Sequence, residues 1–365
     1  MMLTSQGIAG VCRRFLVWPA YCVWPGNLST LALNKAFHRD DKSAVPGPFG
    51  RLYNWSRINF FYITFAIMFV YYWFPGYIFQ ALSTFDWIGW IAPNNNLVVN
   101  LASVEYLSLG LNPWPTFDYN YQTGIGSGLL TPLFTVMNMF IGIICAVITM
   151  LIMWFKNAWN TGYLPLNSNG TYDNTGARYN VSNIIDDKVR FVDEKYQAYS
   201  QPWMAAGNLV TYFFFFASYS ATVSYTMLYH RQEIWRGLKG SFASMKAKFG
   251  RGHTEAVHGG EDVHFRLMQQ YEEVSELWYM AILVLAVVFG IVGLACWPTG
   301  VSVGVVFYGI MFAFVFCIPI GIIYGITGQQ VTLNVLAEFI GGVIGKGDAL
   351  SLNYFKMYGK SSSAA

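Results

Sequence analysis

Residues 132–155, PLFTVMNMFIGIICAVITMLIMWF, form an apolar run without a single Asp, Glu, Lys, Arg or His. A run of about 20 apolar residues matches the thickness of the hydrocarbon core of a bilayer. A large soluble core can explain a high apolar content, but it does not explain repeated runs of this length separated by short polar loops. This stretch therefore predicts a transmembrane helix, and with it the fold class.

Similar runs occur on both sides of this stretch. The clear ones are 58–82, 204–229, 277–297 and 301–325. Weaker candidates, which are short or interrupted by Gly, Pro or Asn, are 8–33, 85–112 and 326–346. The sequence thus predicts an all-α polytopic membrane protein with about seven or eight transmembrane or broken helices, as part of a larger transporter bundle.

The composition agrees with a membrane protein and excludes several other classes. Of 365 residues, 55% are hydrophobic and 11% are charged, whereas soluble domains carry about 25% charged residues. The net charge of +3 is too small to indicate binding to nucleic acid. The five cysteines form no CxxC pair, so we interpret them as small packed hydrophobic residues.

No enzyme motif is present. The chain contains no GxSxG, HExxH or Walker A pattern, and the GxGxG at 124–128 precedes a membrane span, where it is a weak phosphate-loop signal. His253, His258 and His264 share one polar loop, which favours solvated side chains over a metal site. We expect no catalytic activity, no metal and no cofactor.

Breaks in the apolar segments are typical of transporters. They occur at Pro75-Gly76, at Pro93 with the following asparagines, at 124–132, and at Pro319 with Gly321. Broken backbone is tolerated in lipid only where it is buried in protein or lines a watery cavity. Gly and Pro are also common in ordinary transmembrane helices. The clustering of breaks over 85–132 favours the functional interpretation.

The distribution of Lys and Arg predicts the orientation. The basic loops 34–57 and about 230–276 should be cytoplasmic by the positive-inside bias. The loop of about 156–203 is polar, its charges balance, and it carries the sequons of Asn169 and Asn180, so we place it outside the cell or in a lumen. The chain must then cross inward once within 85–112. The sequons of Asn54 and Asn27 should remain unused.

Three acidic residues lie in or beside apolar segments and are candidates for chemistry: Glu338, Glu105 and Asp86. A carboxylate in the middle of a transmembrane helix costs about 2.5–3.5 kcal/mol, so it usually faces a cavity and serves transport. Asp86 is close to a predicted membrane edge, where an interfacial position explains it. For Glu105, a role in transport and a position near water both stay open.

The segment around Glu338, GQQVTLNVLAEFIGGVIG, is the strongest candidate. Asn334 and Glu338 are four residues apart and therefore share one helix face. We expect Asn334 to hydrogen-bond to Glu338, and Gln329 and Gln330 to hold a peptide backbone. Desolvation raises a carboxylate pKa from about 4.3, and a rise of about two or three units would let Glu338 exchange a proton near neutral pH. The other role expected for Glu338 is contact with the amino terminus of the peptide. The alternative is a re-entrant interfacial segment with Glu338 near water.

A group of aromatic residues, Tyr71, Tyr72, Trp73 and Tyr77, surrounds the break at Pro75. These rings could stack on peptide side chains. An aromatic belt at the membrane interface explains them more simply.

Several motifs, taken together, resemble the oligopeptide transporter family, in its peptide-transporter branch and its fungal members most. They are VWPAYCVWPGNL, ALNKAFH, YYWFPGYIF, YNVSNIID, HRQEIW, RLMQQYEEVSELWY, PIGIIYGITGQQVTLNVLAEFIGGVIG and NYFKMYG. They follow the order and spacing of the family along nearly the whole chain. Members are about twice as long, with about sixteen spans, and their early SPYxEVR-like and NPGPFNxKEH-like motifs and later KxPPR-like motif are not in this chain.

The resemblance implies proton-driven movement of small oligopeptides, glutathione among them, by a multi-pass protein of the plasma membrane or an internal one. Its implied partners are small peptides, protons and the bilayer. Residues 1–365 would be part of the carrier's membrane domain, expected to insert without supporting uptake alone. A truncated non-transporting fragment, a channel-like protein, and a metal-chelate carrier of the related branch remain alternatives.

Overall fold

The computed structural model describes most of the chain. The described residues are 2–38, 45–103, 108–119, 130–186, 191–232, 234–239, 267–268, 270–272, 274–297, 301–345 and 347–364. Glu105, the glycines of 124–128, the loop histidines and most of the predicted basic loop 230–276 lie outside them.

Helices dominate these residues, as the sequence predicts. Numbered in chain order, they are α1 (Met2–Leu16), α2 (Leu28–His38), α3 (Arg57–Trp73), α4 (Trp87–Ile91), α5 (Asn96–Ala102), α6 (Leu133–Phe155), α7 (Asp193–Tyr199), α8 (Ala206–Tyr229), α9 (Glu276–Ala295), α10 (Gly304–Thr327), α11 (Asn334–Ile344) and α12 (Ala349–Ala364). The described strands are two-residue pieces in two antiparallel pairs: β1 (Val45–Pro46) with β2 (Leu52–Tyr53), and β3 (Thr171–Tyr172) with β4 (Trp203–Met204).

Four described helical segments are long and apolar enough to cross a membrane. They are Arg57–Ile78, Leu133–Phe155, Leu277–Ala295 and Gly304–Thr327. Helix α8 has the length of a span, as the sequence predicts, but Tyr, Ser and Thr along it make it less apolar than these four. The fold is therefore that of an all-α polytopic membrane protein.

The predicted breaks have different outcomes. Helix α3 ends at Trp73, and Pro75 and Gly76 lie in a π-helical turn that follows it. The segment 85–112 contains only the short helices α4 and α5 among its described residues. The prediction of a break at Pro319 is wrong, because α10 continues through it. Proline removes only one helical hydrogen bond, and packing on both sides holds the helix together.

One compact unit comprises Met1–Trp24, Tyr179–Gln201 and Thr211–Ala365. Helix α10 is its central element: half of its apolar window is buried, and it packs against α1 and α12. Val306, Ala313 and Ile322 of α10 are fully buried. This unit contains the segment that carries Glu338.

The other unit comprises Pro25–Arg178 and Pro202–Val210. Its long helices α3 and α6 are almost entirely exposed. The residues after α3 are held by hydrogen bonds: the Tyr71 hydroxyl donates to the Phe117 carbonyl at 2.7 Å, and the Phe117 N–H donates to the Leu82 carbonyl at 2.9 Å.

Candidate functional site

The helical chain breaks between α10 and α11. Gly328 ends α10 in the left-handed region (φ 72°), which glycine adopts without a steric penalty, and its N–H donates to the Tyr324 carbonyl at 2.9 Å. The Thr327 hydroxyl accepts a hydrogen bond from the Gln329 N–H at 3.1 Å. The GQQVT sequence therefore forms a short non-helical segment, and a new helix begins at Asn334.

Tyr219 of α8 holds this break in place. Its ring is buried, with 5% exposure, and its hydroxyl donates to the Thr332 carbonyl at 2.8 Å. No side chain of the N-cap residue Leu333 caps α11. The bond from Tyr219 therefore fixes the backbone just before α11 begins.

Helix α11 is too short to cross a membrane alone. Its 11 residues span about 16 Å at 1.5 Å per residue, against a hydrocarbon core of about 30 Å. The weak candidate span 326–346 is thus resolved into the end of α10, the break, and a half-length helix. Discontinuous helices of this kind form the binding sites of many secondary transporters.

Glu338 of α11 forms a salt bridge with Lys356 of α12. The two side chains are partly accessible, with 28% of Glu338 and 47% of Lys356 exposed. The pair joins the two helices that follow the break. Sequence reasoning missed Lys356, although it lies in the quoted NYFKMYG motif, because opposite charges in separate segments give no signal of their contact.

The hydrogen bond expected between Asn334 and Glu338 is not present. Both residues lie on α11 one turn apart, as the spacing predicts, but Glu338 is paired with Lys356 instead. An ammonium group binds a carboxylate more strongly than a neutral amide does. The Oδ1 atom of Asn334 is buried and has no hydrogen-bond partner among the described residues.

The other predicted polar residues are placed as follows. Gln329 and Gln330 both lie in the break, with Gln329 partly buried and Gln330 exposed. The break and the first turns of α11 therefore carry four of the predicted site residues: Gln329, Gln330, Asn334 and Glu338. The fifth, Glu105, lies outside the described residues.

Asp86 has a structural role that the sequence did not predict, and its interfacial position stays a prediction. It is buried, it is the N-cap of α4, and its carboxylate accepts from the Gly89 N–H at 3.3 Å. The Ser103 hydroxyl donates to the same carboxylate at 2.6 Å. These bonds tie α4 to the end of α5, which explains the burial of this acid.

The aromatic residues near Pro75 border a cavity of about 330 Å³. Tyr71 and Tyr72 line it together with Pro75, Asp118 and Tyr119. Tyr77 is exposed and does not belong to this lining. Both interpretations of this aromatic group, belt and substrate contact, stay open.

Four described helices that are long and apolar enough to cross a membrane define the chain as a multi-pass integral membrane protein. A model of the OPT oligopeptide transporter family matches residues 1–365. The chain belongs to the OPT oligopeptide transporter family.

Similar proteins come from fungi and plants. The chain is 33% identical to "Oligopeptide transporter 2" of Saccharomyces cerevisiae over 97% of its length and 40% of that protein. It is 34% identical to "Sexual differentiation process protein isp4" of Schizosaccharomyces pombe, over 98% of this chain and 43% of that protein. "Glutathione transporter 1" of the same yeast is 32% identical to the chain, over 98% of the chain and 41% of that protein. The chain thus spans less than half the length of these relatives. No solved structure matches it.

Proposed function

We propose that this protein carries small oligopeptides across a membrane and that protons drive the movement. Membership of the family and the names of the relatives support peptides as the substrate class. Glutathione belongs to this class, and one relative is named a glutathione transporter. We place the protein in the plasma membrane, where an acidic exterior supplies protons.

The observation that carries the proton coupling is Glu338 on α11. It is an acidic side chain on a half-length helix that follows a break, and its carboxylate is paired with Lys356. Ionisable groups in such segments are rare and usually serve transport. Protonation from outside would neutralise Glu338 and break the salt bridge, and release of the proton inside would restore it. One proton would thus change how α11 and α12 are joined.

The polar groups of the break are suited to a peptide. Gln329 and Gln330 offer amide donors and acceptors that match a peptide backbone. The Asn334 Oδ1 atom is buried and has no hydrogen-bond partner in the part of the chain that the structure describes. It would accept a hydrogen bond from a peptide N–H or ammonium group. A ligand that satisfied this oxygen would remove a desolvation cost of about 1–3 kcal/mol.

The variant Glu338→Gln tests this proposal, because glutamine keeps the size and polarity but does not ionise. In the complete gene product, expressed in cells lacking related carriers, we expect it to abolish pH-driven accumulation of labelled peptide. Expression at the membrane should stay normal, and exchange of substrate should persist. Glu194→Gln, the same change at an exposed position, is the matched control and should accumulate peptide normally.

A Glu338→Gln protein that accumulates peptide with the normal pH dependence would place the proton site elsewhere. Glu105 would then be the next acid to change. Loss of accumulation in both the Glu338 and the Glu194 variants would indicate a general effect of the substitutions instead of a proton site.

A further inference from the structure

Lys356 is the cation that faces Glu338. The helices packed around α11 include α8 and α10, whose residues 206–229 and 304–327 contain no Asp, Glu, Lys, Arg or His. Helix α12 supplies Lys356. The other titratable groups near this site are Tyr219 on α8, Asp348 just before α12, and three on α12: Tyr354, Tyr358 and Lys360. Within the described residues, the charge of Lys356 is therefore balanced by Glu338.

Protonation of Glu338 removes that balance. A neutral carboxylic acid no longer offsets the ammonium charge, so Lys356 is left without its counter-ion. Lys356 is on a long side chain with 47% exposure, so its Nζ atom can bind an anion that enters from outside the protein. The anion present on every unmodified peptide is its C-terminal carboxylate.

We propose that Lys356 binds the C-terminal carboxylate of the peptide in exchange for Glu338 when Glu338 takes up a proton. This inference rests on the proposed function and adds a specificity residue to it. Charge is conserved in the exchange: the proton converts Glu338 to its neutral acid, and the peptide carboxylate replaces it beside the ammonium group. A peptide without a free carboxylate offers no replacement.

The Asn334 oxygen, which has no hydrogen-bond partner among the described residues, is a second polar group that a ligand could satisfy. It lies on α11 one turn before Glu338, so both groups share one face of that helix. Lysine acts as a compact point charge that suits a carboxylate. The site would thus recognise small peptides by their charged end, and not by a particular side chain.

The test is a competition assay with two peptides that differ only in this group. Trileucine and trileucine carboxamide compete against labelled trileucine for uptake by the complete gene product, with the exterior acidic. The wild-type protein should prefer the free acid about tenfold or more, as expected for a hydrogen bond between charged groups. Lys356→Met should bring the ratio of inhibition constants close to one, and Lys356→Arg should retain most of the preference.

Two further variants keep this test decisive. Lys360→Met, one turn further along α12, should leave the ratio unchanged. Where Lys356→Met alone fails to fold because Glu338 loses its partner, the double variant Glu338→Gln with Lys356→Met removes both charges. Binding of trileucine and its carboxamide to the double variant, measured by their thermal stabilisation of the purified protein, should be equally weak.

The outcomes distinguish a failure of this inference from a failure of the proposed function. Normal uptake with an unchanged acid-to-amide ratio in Lys356→Met would overturn the inference alone. Equal stabilisation of the wild-type protein by both peptides at the acidic pH of the uptake assay would also overturn it. Absence of any trileucine uptake by wild-type protein at the cell surface would overturn the proposed function, and the inference with it.

Discussion

Helices α6 and α10 have the same mean hydropathy and nearly the same length, yet their surroundings differ completely. Half of the apolar window of α10 is buried, while none of that of α6 is. Ile322 of α10 is fully buried, whereas Ile148 of α6 is 52% exposed. Hydropathy therefore determines that both helices can cross a membrane, but it does not determine what each of them contacts.

The difference arises because lipid is as apolar as the side chains themselves. No hydrophobic force drives two helices together inside a bilayer, so their association depends on close packing and hydrogen bonds. Helix α10 has small residues where its neighbours approach, among them Gly309, which lies against Tyr358 of α12. Helix α6 has Gly142 at an open position. Packing thus distinguishes the two helices where composition does not.

The largest difference should appear when a buried side chain is truncated. Ile322→Ala should lower the free energy of unfolding by about 2 kcal/mol or more, at the lower end of values for soluble cores because the transfer term is small in lipid. The matched change Ile148→Ala should stay within about 0.5 kcal/mol. Thermal unfolding of the purified variants in detergent micelles measures both.

Equal losses of stability in Ile322→Ala and Ile148→Ala would contradict this difference between the two helices. They would mean that α6 is packed as closely as α10 in the intact protein. An unchanged stability of Ile322→Ala would instead show that the surroundings of α10 relax to fill the space.

Enlarging a glycine should give the next largest effect. A Cβ atom at Gly309 would lie 2.3 Å from the Tyr358 ring, so Gly309→Val should destabilise by about 1–3 kcal/mol through overpacking. Nothing lies within 4 Å of the corresponding position at Gly142, and Gly142→Val should be nearly neutral. The melting temperatures of the two variants in micelles test this pair, and a loss at Gly142 would reveal a partner for that face of α6.

The smallest energetic effect, but the clearest result for orientation, concerns the residues beyond α6. We expect glycans on Asn169, Asn180 or both, and none on Asn54 or Asn27. Asn169 and Asn180 are exposed, and the Asn180 side chain accepts a hydrogen bond from the Ser182 N–H at 3.1 Å. Single Asn→Gln variants, examined by glycosidase mobility shifts, should change stability by less than about 0.5 kcal/mol. A shift lost with Asn54→Gln would invert the orientation of α6.

The sequence predicted the helical fold well because apolar length is a property of each segment alone. It found α6, α9 and α10 within a few residues, and an interruption at Pro75-Gly76, where the structure has a π-helical turn. It failed at Pro319, where α10 continues. The effect of a proline depends on the packing of its neighbours, and one segment of sequence contains no information about them.

The site was predictable only in part, for a similar reason. The four-residue spacing of Asn334 and Glu338 follows from helix geometry, and α11 has both on it. The salt bridge to Lys356 depends on the reversal of the chain between α11 and α12. The anchoring of the break by Tyr219 depends on the position of α8. Both contacts are tertiary, so periodicity within one segment could not indicate them.

The pairing of β3 with β4 has a consequence for the sequence between them. Thr171–Tyr172 pairs with Trp203–Met204, which immediately precede α8, so the two ends of that sequence are held side by side. Lengthening a loop whose ends are already fixed is inexpensive, since each doubling costs only about 0.6 kcal/mol of closure entropy. An epitope or a natural insertion after the exposed Gly176 would therefore leave the pairing of β3 with β4 intact. New sequence could accumulate there at little cost in stability.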